Sequence, residues 1–258
     1  MMIVVALIAA IAAFVCWGPI PVSNKRVLVD FMLGRGIEPP TMATISRHLR
    51  TAPGFTVQVY SADVPLARVM VFTAGGDLVV SRTRGDEVVL LDRDRNGDGK
   101  ADGQRVLLKD VDGPHGLALH IGWLYVAERT AVGRVRFDSA SGQLAGNYEY
   151  ILTGLTKDGQ HTTRTIGVGP DGWLYLAQGS TCNVCIEKDP RRATIMRLKP
   201  DGTGAEIYAS GLRNSVGFDW APWDGALYAT DHGRDLLGDD FPPCQLKRIE
   251  QGRFYGWQ

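Results

Sequence analysis

One short pattern recurs four times along this chain and limits what it can fold into. Gly76-Asp77-Leu78-Val79-Val80-Ser81, Gly122-Trp123-Leu124-Tyr125-Val126-Ala127, Gly172-Trp173-Leu174-Tyr175-Leu176-Ala177 and Gly225-Ala226-Leu227-Tyr228-Ala229-Thr230 each place a glycine before an apolar run. The glycines lie 46, 50 and 53 residues apart, a period typical of propeller blades or solenoid repeats. An apolar strand precedes each turn (Ala67–Phe72, Gly116–His120, Thr165–Val168, Val216–Trp220), and another follows (Glu87–Leu91, Val132–Phe137, Thr194–Leu198, Gln245–Ile249). Short β-branched and aromatic runs bounded by turn residues read as strands. No sustained helical period follows residue 55. The expectation is an all-β fold, an antiparallel β-propeller with about four blades over residues 55–258. The fourth unit ends at Phe254-Tyr255-Gly256-Trp257-Gln258 with no closing strand, so the preferred reading is a chain that stops partway round a larger propeller.

The 31 glycines sit mostly beside Asp, Pro or Asn, which is turn chemistry between many short strands. Net charge is zero, and lysine and arginine are not clustered, which argues against nucleic acid as a partner. Residues 2–23 are nearly all apolar and carry no charge before Lys25, enough in helical form to cross a hydrocarbon core of ~30 Å. They read as a signal peptide or, preferably, an uncleaved membrane anchor, because the segment has no basic start and no clean cleavage site. Cys16 sits in a poor lipoprotein box. Lys25, Arg26 and Arg35 favour a cytoplasmic C-terminal side, yet a long folded domain translocates largely regardless of such charges. The expected location is the periplasmic side of the membrane, or secretion. Residues 24–54 read as a linker with a short helix around Met42–Leu49, bounded by Pro39-Pro40 and Pro53-Gly54.

Several stretches carry possible chemistry. In Asp92–Asp102, oxygen-bearing side chains alternate at Asp94, Asn96 and Asp98. Gly99 allows a sharp turn, Lys100 offers a carbonyl, and Asp102 closes the ring. Such a set suits Ca²⁺, which takes six to eight oxygens; the alternative is a solvated acidic turn. The preferred reading is a structural Ca²⁺ site. His115, His161, Arg164 and the Arg213-Asn214 pair precede the first strands of units two, three and four. Equivalent blade positions converge at one end of a propeller channel, so these residues are expected to face one basic, imidazole-bearing pocket. Imidazole takes a proton near neutral pH, and arginines there suit a carboxylate-bearing or quinone-like ligand. Cys182-Asn-Val-Cys185 is a disulfide, half a zinc site or a redox pair. No second pair at zinc spacing follows, so a disulfide bracing the loop is preferred, which implies an oxidising compartment. Cys244 is left over as a free thiol. The loop Asp231–Asp240 is long and acidic; it reads either as an ordinary surface loop or as a source of backbone carbonyls for a second metal.

With these motifs in view, the chain resembles the glucose/sorbosone dehydrogenase family, soluble quinoproteins that use pyrroloquinoline quinone (PQQ). The resemblance is carried in order by PHGLALH (114–120), HTTRTIGVGPDGWLYLAQGSTCNVC (161–185), GLRNSVGF (211–218) and ATDHGRDLLGDDFPP through LKRIEQGRFYGW (229–257), and the cysteine loop is most similar to the sorbosone dehydrogenase-like branch. It implies a six-bladed propeller with the quinone on one face and His161 as general base. It also implies Arg213-Asn214 at a quinone carbonyl, and catalytic Ca²⁺ held partly by the backbone carbonyls of Gly233 and Arg234. By this resemblance, hydride passes from a sugar or aldehyde hydrate to the quinone, and the electrons go on to a quinone pool or cytochrome. Two departures matter. A pocket glutamine of the glucose enzymes falls near Pro114-His115 here, and the basic residues that grip the quinone carboxylates, with the last two blades, have no counterpart. Two other readings remain open. One is a calcium-dependent propeller lactonase, which would need Glu, Asp and Asn side chains on the channel axis. The other is a truncated, non-catalytic binding propeller.

Overall fold

The computed structural model describes residues 41–237 and 241–257. The apolar segment 2–23 and most of the expected linker lie outside the described residues, among which no helix is long and apolar enough to cross a membrane. The chain divides into two compact units, Met1–Gln58 with Leu237–Asp240, and Val59–Leu236 with Phe241–Gln258. In the first, helix α1 (Met42–His48) is capped by Thr41, whose hydroxyl accepts from Thr44 N at 3.2 Å. It ends one residue before the expected boundary, where Leu49 turns extended.

The second unit holds four antiparallel sheets, each a meander in sequence order. The first blade contains β1 (Met70–Phe72), β2 (Leu78–Arg82), β3 (Glu87–Asp92) and β4 (Gly103–Leu108). The second contains β5 (Leu117–His120), β6 (Trp123–Ala127), β7 (Val132–Asp138) and β8 (Gln143–Leu152). The third contains β9 (Arg164–Val168), β10 (Leu174–Gln178), β11 (Thr194–Leu198) and β12 (Glu206–Ser210), and the fourth β13 (Gly217–Trp220), β14 (Leu227–Asp231) and β15 (Gln245–Ile249). This is the expected propeller arrangement, with four blades. The recurring glycine is explained by its backbone: Gly76, Gly122, Gly172 and Gly225 all have φ between 67° and 88°, a region in which a Cβ is strained.

The repeat's middle strand is largely apolar because in β6 and β10 it is buried on both faces. Leu124 and Val126 of β6 pack with Val79 and Leu90 of the first blade, while Tyr125 and Ala127 pack with Leu174 and Leu176 of β10. Tyr175 and Ala177 on the other face of β10 meet Leu227 and Ala229 of β14. The outer strands β4, β8 and β12 carry mixed exposure, so their pattern is weak in sequence. Met70 and Phe72 on the first blade and Leu246 on the fourth are exposed, so both end blades carry uncovered apolar side chains. At the centre, neighbouring blades are tied backbone to backbone: Gly116 N donates to Arg164 O at 2.8 Å, joining the second and third blades.

Candidate functional site

The site is built where β10 of the third blade ends and β13 of the fourth begins. Gly179, directly after β10, is closely flanked: a Cβ there would lie 2.6 Å from His161 Cβ and 2.3 Å from Asn214 Oδ1. His161 and Asn214 are therefore side by side across a backbone that only glycine permits. The next residue, Ser180, ties both arms together. Its N–H donates to Arg213 O at 2.7 Å. His161 Nδ1 lies 2.8 Å from Ser180 O and 2.9 Å from Ser180 Oγ, while that hydroxyl donates to Cys182 O at 2.7 Å. A carbonyl can only accept, so Nδ1 carries the proton and Nε2 keeps its lone pair. Burial pushes the half-buried His161 below the usual imidazole value, opposed by the hydrogen bond to Ser180 and assisted by the charge of Arg213. The ring is thus held as a neutral base.

Arg213 is nearly fully buried and its guanidinium is shared among loops. Nε donates to Asn183 O (3.2 Å), and Nη2 donates to Asn183 Oδ1 (2.9 Å) and to Asp235 Oδ2 (2.7 Å). The backbone N–H groups of Arg213 and Asn214 donate to the buried carboxylate of Asp231 at 3.3 and 2.8 Å, and that carboxylate also pairs with Lys247 Nζ at 2.7 Å. Arg213, Gly233 and Arg234 line one cavity of about 180 Å³, with Lys247, Tyr255 and Trp257 among the other walls. Arg213 therefore shares a cavity with Gly233 and Arg234, while Asn214 stands beside Gly179 instead. Gly238, Asp239 and Asp240 of the same loop lie outside the described residues.

Two expected pocket residues are corrected. His115 is 2% exposed, and its Nδ1 lies 2.9 Å from Arg164 O; burial lowers its pKa and it serves the joint between the second and third blades. Arg164 is fully buried, and its guanidinium donates to the carbonyls of Thr156, His161 and Thr163 at 2.6–3.1 Å. Neither side chain faces the pocket. The reason is local: a loop entering an inner strand leaves carbonyls without strand partners, and these buried acceptors need donors. Arg164 therefore shapes the loop that holds His161.

In the acidic loop the side chains accept from the loop's own backbone. Asp94 accepts from Gly97 N and Gly99 N at 2.6 and 2.7 Å. Asn96 accepts from Asp98 N, Asp98 from Lys100 N, and Asp102 from Arg95 N and Asn96 Nδ2. Among the described residues, the trio of potential ligand side chains gathered within 4.8 Å is Cys182, Cys185 and Glu187, and Asp94, Asp98 and Asp102 do not form another. The loop is thus closed by side-chain acceptors on its own N–H donors. Cys182 and Cys185 are joined in a disulfide, which leaves no thiolate for a metal, and Cys244 is a free, exposed cysteine.

Ser180, Asn183, Arg192 and Asp235 also build the site, with little in the sequence to mark them. Arg192 Nη2 donates to both His161 O and Ser180 O at 2.9 Å, the counterpart of Arg164 from the other side. Asn183 was visible only as a spacer between cysteines, and Ser180 only as the residue ending a repeated strand. No spacing signal marks Arg192, 31 residues from His161.

A propeller whose blade ends gather a neutral imidazole, an Arg-Asn pair and a loop of backbone carbonyls is the class that fold and site define. The chain belongs to the TrAA12-like family, which it matches over residues 49–242. Its fold is shared with the Carbohydrate-Active Enzymes Family AA12 protein of Trichoderma reesei (21% identity, TM-score 0.68, covering 80% of this chain and 57% of that one). It is shared too with the PQQ domain of pyranose dehydrogenase from Coprinopsis cinerea (19%, 0.68, 78% and 55%). The PQQ-bound aldose sugar dehydrogenase of Streptomyces coelicolor is a third such structure (22%, 0.61, 78% and 65%). An uncharacterized protein of Borreliella burgdorferi is 40% identical over 92 residues, 35% of this chain and 24% of that protein. The chain thus spans little more than half the length of the first two structures and about a quarter of this curated relative.

Proposed function

We propose that this chain oxidises a sugar or aldehyde with PQQ as electron acceptor, residues 55–258 forming the working domain and His161 the general base. The observation that carries the reading is the fixed tautomer of His161. Its Nδ1–H is spent on Ser180, which leaves Nε2 with its lone pair, and the His161 and Asn214 side chains flank Gly179 together. The names of the structural relatives, an AA12 protein and two PQQ proteins, supply the chemical class.

The residues present fit the quinone. Its carboxylates need cations and its rings need aromatic walls, and Arg213, Arg234, Lys247, Tyr255 and Trp257 line one cavity. Trp257 Nε1 is buried with no hydrogen-bond partner among the described residues, a donor that a ligand would satisfy. At about 180 Å³ the cavity is below the ~300–1,000 Å³ usual for small-molecule sites, so it would take one edge of the ligand. A hard cation also fits this loop: Pro242 O and Pro243 O lie 2.7 and 3.3 Å from where a Gly233 Cβ would be, so backbone oxygens crowd against Gly233. Bound there, the quinone would supply a two-electron acceptor and Ca²⁺ a polarising charge beside it.

The chain's own part is proton transfer and orientation. His161 Nε2 takes the proton of the substrate hydroxyl as its carbon is oxidised, and the Ser180 carbonyl steadies the imidazolium that results. Arg164 and Arg192 hold the His161 backbone through buried carbonyls, so the base does not swing. For the whole protein we place the domain on the periplasmic side of the membrane, anchored by residues 2–23 and passing electrons to a quinone pool or cytochrome. The disulfide supports an oxidising compartment.

The test loads purified protein with PQQ and Ca²⁺ and follows bleaching of an artificial acceptor over a panel of aldoses and aldehydes. His161→Ala should lower the rate by ~10²–10⁴-fold while quinone binding, read by tryptophan quenching, persists. Undiminished turnover in that variant, or no quinone binding by the parent, would overturn the reading.

A further inference from the structure

A second, larger cleft adjoins the base along the chain. Thr162 and Thr163, the two residues after His161, line a cavity of about 600 Å³ with Arg68, Arg84 and Arg129. That volume is within the range of small-molecule sites, ~300–1,000 Å³. Its walls come from the first, second and third blades: Thr83 and Asp86 also line it, from the β2–β3 turn.

The charges in this cleft are unequal in what they already do. Arg129 is engaged, with Nη2 at 3.3 Å from Asp86 and 2.9 Å from Asp112. The exposed guanidinium groups of Arg68 and Arg84 have no hydrogen-bond or ion-pair partner among the described residues. The cleft therefore offers two uncommitted cations. It is also well framed. Arg68 N donates to Ser81 O, Ser81 Oγ to His115 O at 2.8 Å, and His115 Nδ1 to Arg164 O at 2.9 Å. Arg164 Nη1 completes the run at the carbonyls of Thr163 and His161, both at 3.1 Å. Thr83 Oγ1 donates to Pro114 O at 2.7 Å, and Gly113 N to Asp86 Oδ1 at 2.9 Å. The arginine-bearing backbone and the His161 backbone thus share one buried scaffold.

We propose that the substrate carries an acidic group, a carboxylate or phosphate on the sugar or aldehyde, which Arg68 and Arg84 receive while the oxidised carbon lies at His161. The proposal rests on His161 being the base. Two residues of extended chain span at most about 7 Å, so the backbone of His161 lies within that reach of the Thr163 wall of the cleft. Guanidinium is suited to such groups because its planar donors match carboxylate and phosphate oxygens in pairs. Both arginines are exposed, so salt should weaken the contact.

The test uses the full chain, first without quinone for sugar binding and then loaded with PQQ and Ca²⁺ for quinone affinity and turnover. Glucuronate, glucose 6-phosphate and glucose are titrated by calorimetry at low and high salt, against the parent and the Arg68→Gln/Arg84→Gln double variant, with circular dichroism confirming that both are folded. The acidic sugars should bind about tenfold or more tighter than glucose, the preference should fall at high salt, and the double variant should lose it. The first two ligands separate carboxylate from phosphate. Equal affinity for glucose, or a preference unchanged in the double variant, overturns the proposal. So does a double variant that loses quinone affinity but keeps its acid preference, because the arginines would then serve the quinone. Acid-selective binding without oxidation by the loaded protein would sink the dehydrogenase reading and keep this one. Oxidation of neutral aldoses with no acid preference would do the reverse.

Discussion

Gly179 shows how closely single residues are constrained here. Its missing Cβ leaves room for His161 Cβ and Asn214 Oδ1, which a methyl group would approach to 2.6 and 2.3 Å. Gly179→Ala should therefore push the imidazole out of line, costing about 1–3 kcal/mol of stability and at least as much relative activity as Ser180→Ala. Thermal melting and dye-linked assay would show it, and an alanine variant with parental melting and turnover would refute it. Ser180→Ala is the gentler change. It removes the hydroxyl contact at 2.9 Å but keeps the carbonyl at 2.8 Å, so the tautomer survives and the rate should fall less than about tenfold. Because burial lowers the pKa of His161, its base form persists below the usual value of 6.5. The acid limb of kcat/KM should accordingly lie under pH 6.5 and disappear in His161→Ala; a limb above that pH would contradict the assigned environment.

At the scale of elements, the cysteine loop is a clamp. The Asn183 side chain donates to Asp235 O at 3.0 Å and accepts from Asp235 N at 2.8 Å and from Arg213 Nη2 at 2.9 Å. One amide thus joins the disulfide loop, the loop after β14 and the buried arginine. A disulfide closing so short a loop adds little by chain entropy, so its effect should be local. Reducing Cys182–Cys185, or replacing Asn183 by Ala, is expected to weaken quinone binding roughly tenfold, the effect of one or two charge-assisted bonds, with a small change in melting temperature. Tryptophan-quenching titrations with and without dithiothreitol would measure it; unchanged affinity in both cases would remove the clamp's role. The middle strands behave differently. Leu176 on β10 is fully buried between the second and third blades, and Leu176→Ala should cost about 2–5 kcal/mol in urea unfolding, without selective loss of ligand affinity.

Across the whole molecule, the buried imidazoles link stability to pH. His115 and His161 both have pKa values lowered chiefly by burial, so below pH 6.5 the unfolded chain binds protons that the folded chain does not. Stability from this source is complete above pH 6.5 and is lost as pH falls through that value toward the folded ones. Melting temperatures from pH 8 to pH 5 should fall, and His115→Gln should flatten the decline relative to its own value at pH 8. A decline of equal steepness in that variant would assign the effect elsewhere, to carboxylates. The blade count belongs to this scale too. The repeat is legible because the middle strands β6 and β10 are sandwiched and apolar on both faces, while β14 keeps the pattern with one face partly open. The outer strands β4, β8 and β12 were not placed, because solvated edges carry no such pattern.

What the residues determined alone was the repeat, the β class, the helix at Met42 and the positions from which a site would be drawn. Glycine turns with positive φ and doubly buried strands leave a local record that needs no knowledge of distant contacts. Only the tertiary structure decided which polar residues became the site. His115, His161 and Arg164 look alike in sequence, each just before or at the start of an inner strand. Their fates depend on carbonyls left unpaired between blades: Arg164 O draws in His115, three loop carbonyls draw in Arg164, and Ser180 O turns His161 so that Nε2 stays free. The same holds for the acidic loop, where only the folded backbone shows which N–H groups its carboxylates accept from. Hydrogen-bond satisfaction among buried backbone groups is a property of the packed blades, and no pattern within one blade encodes it.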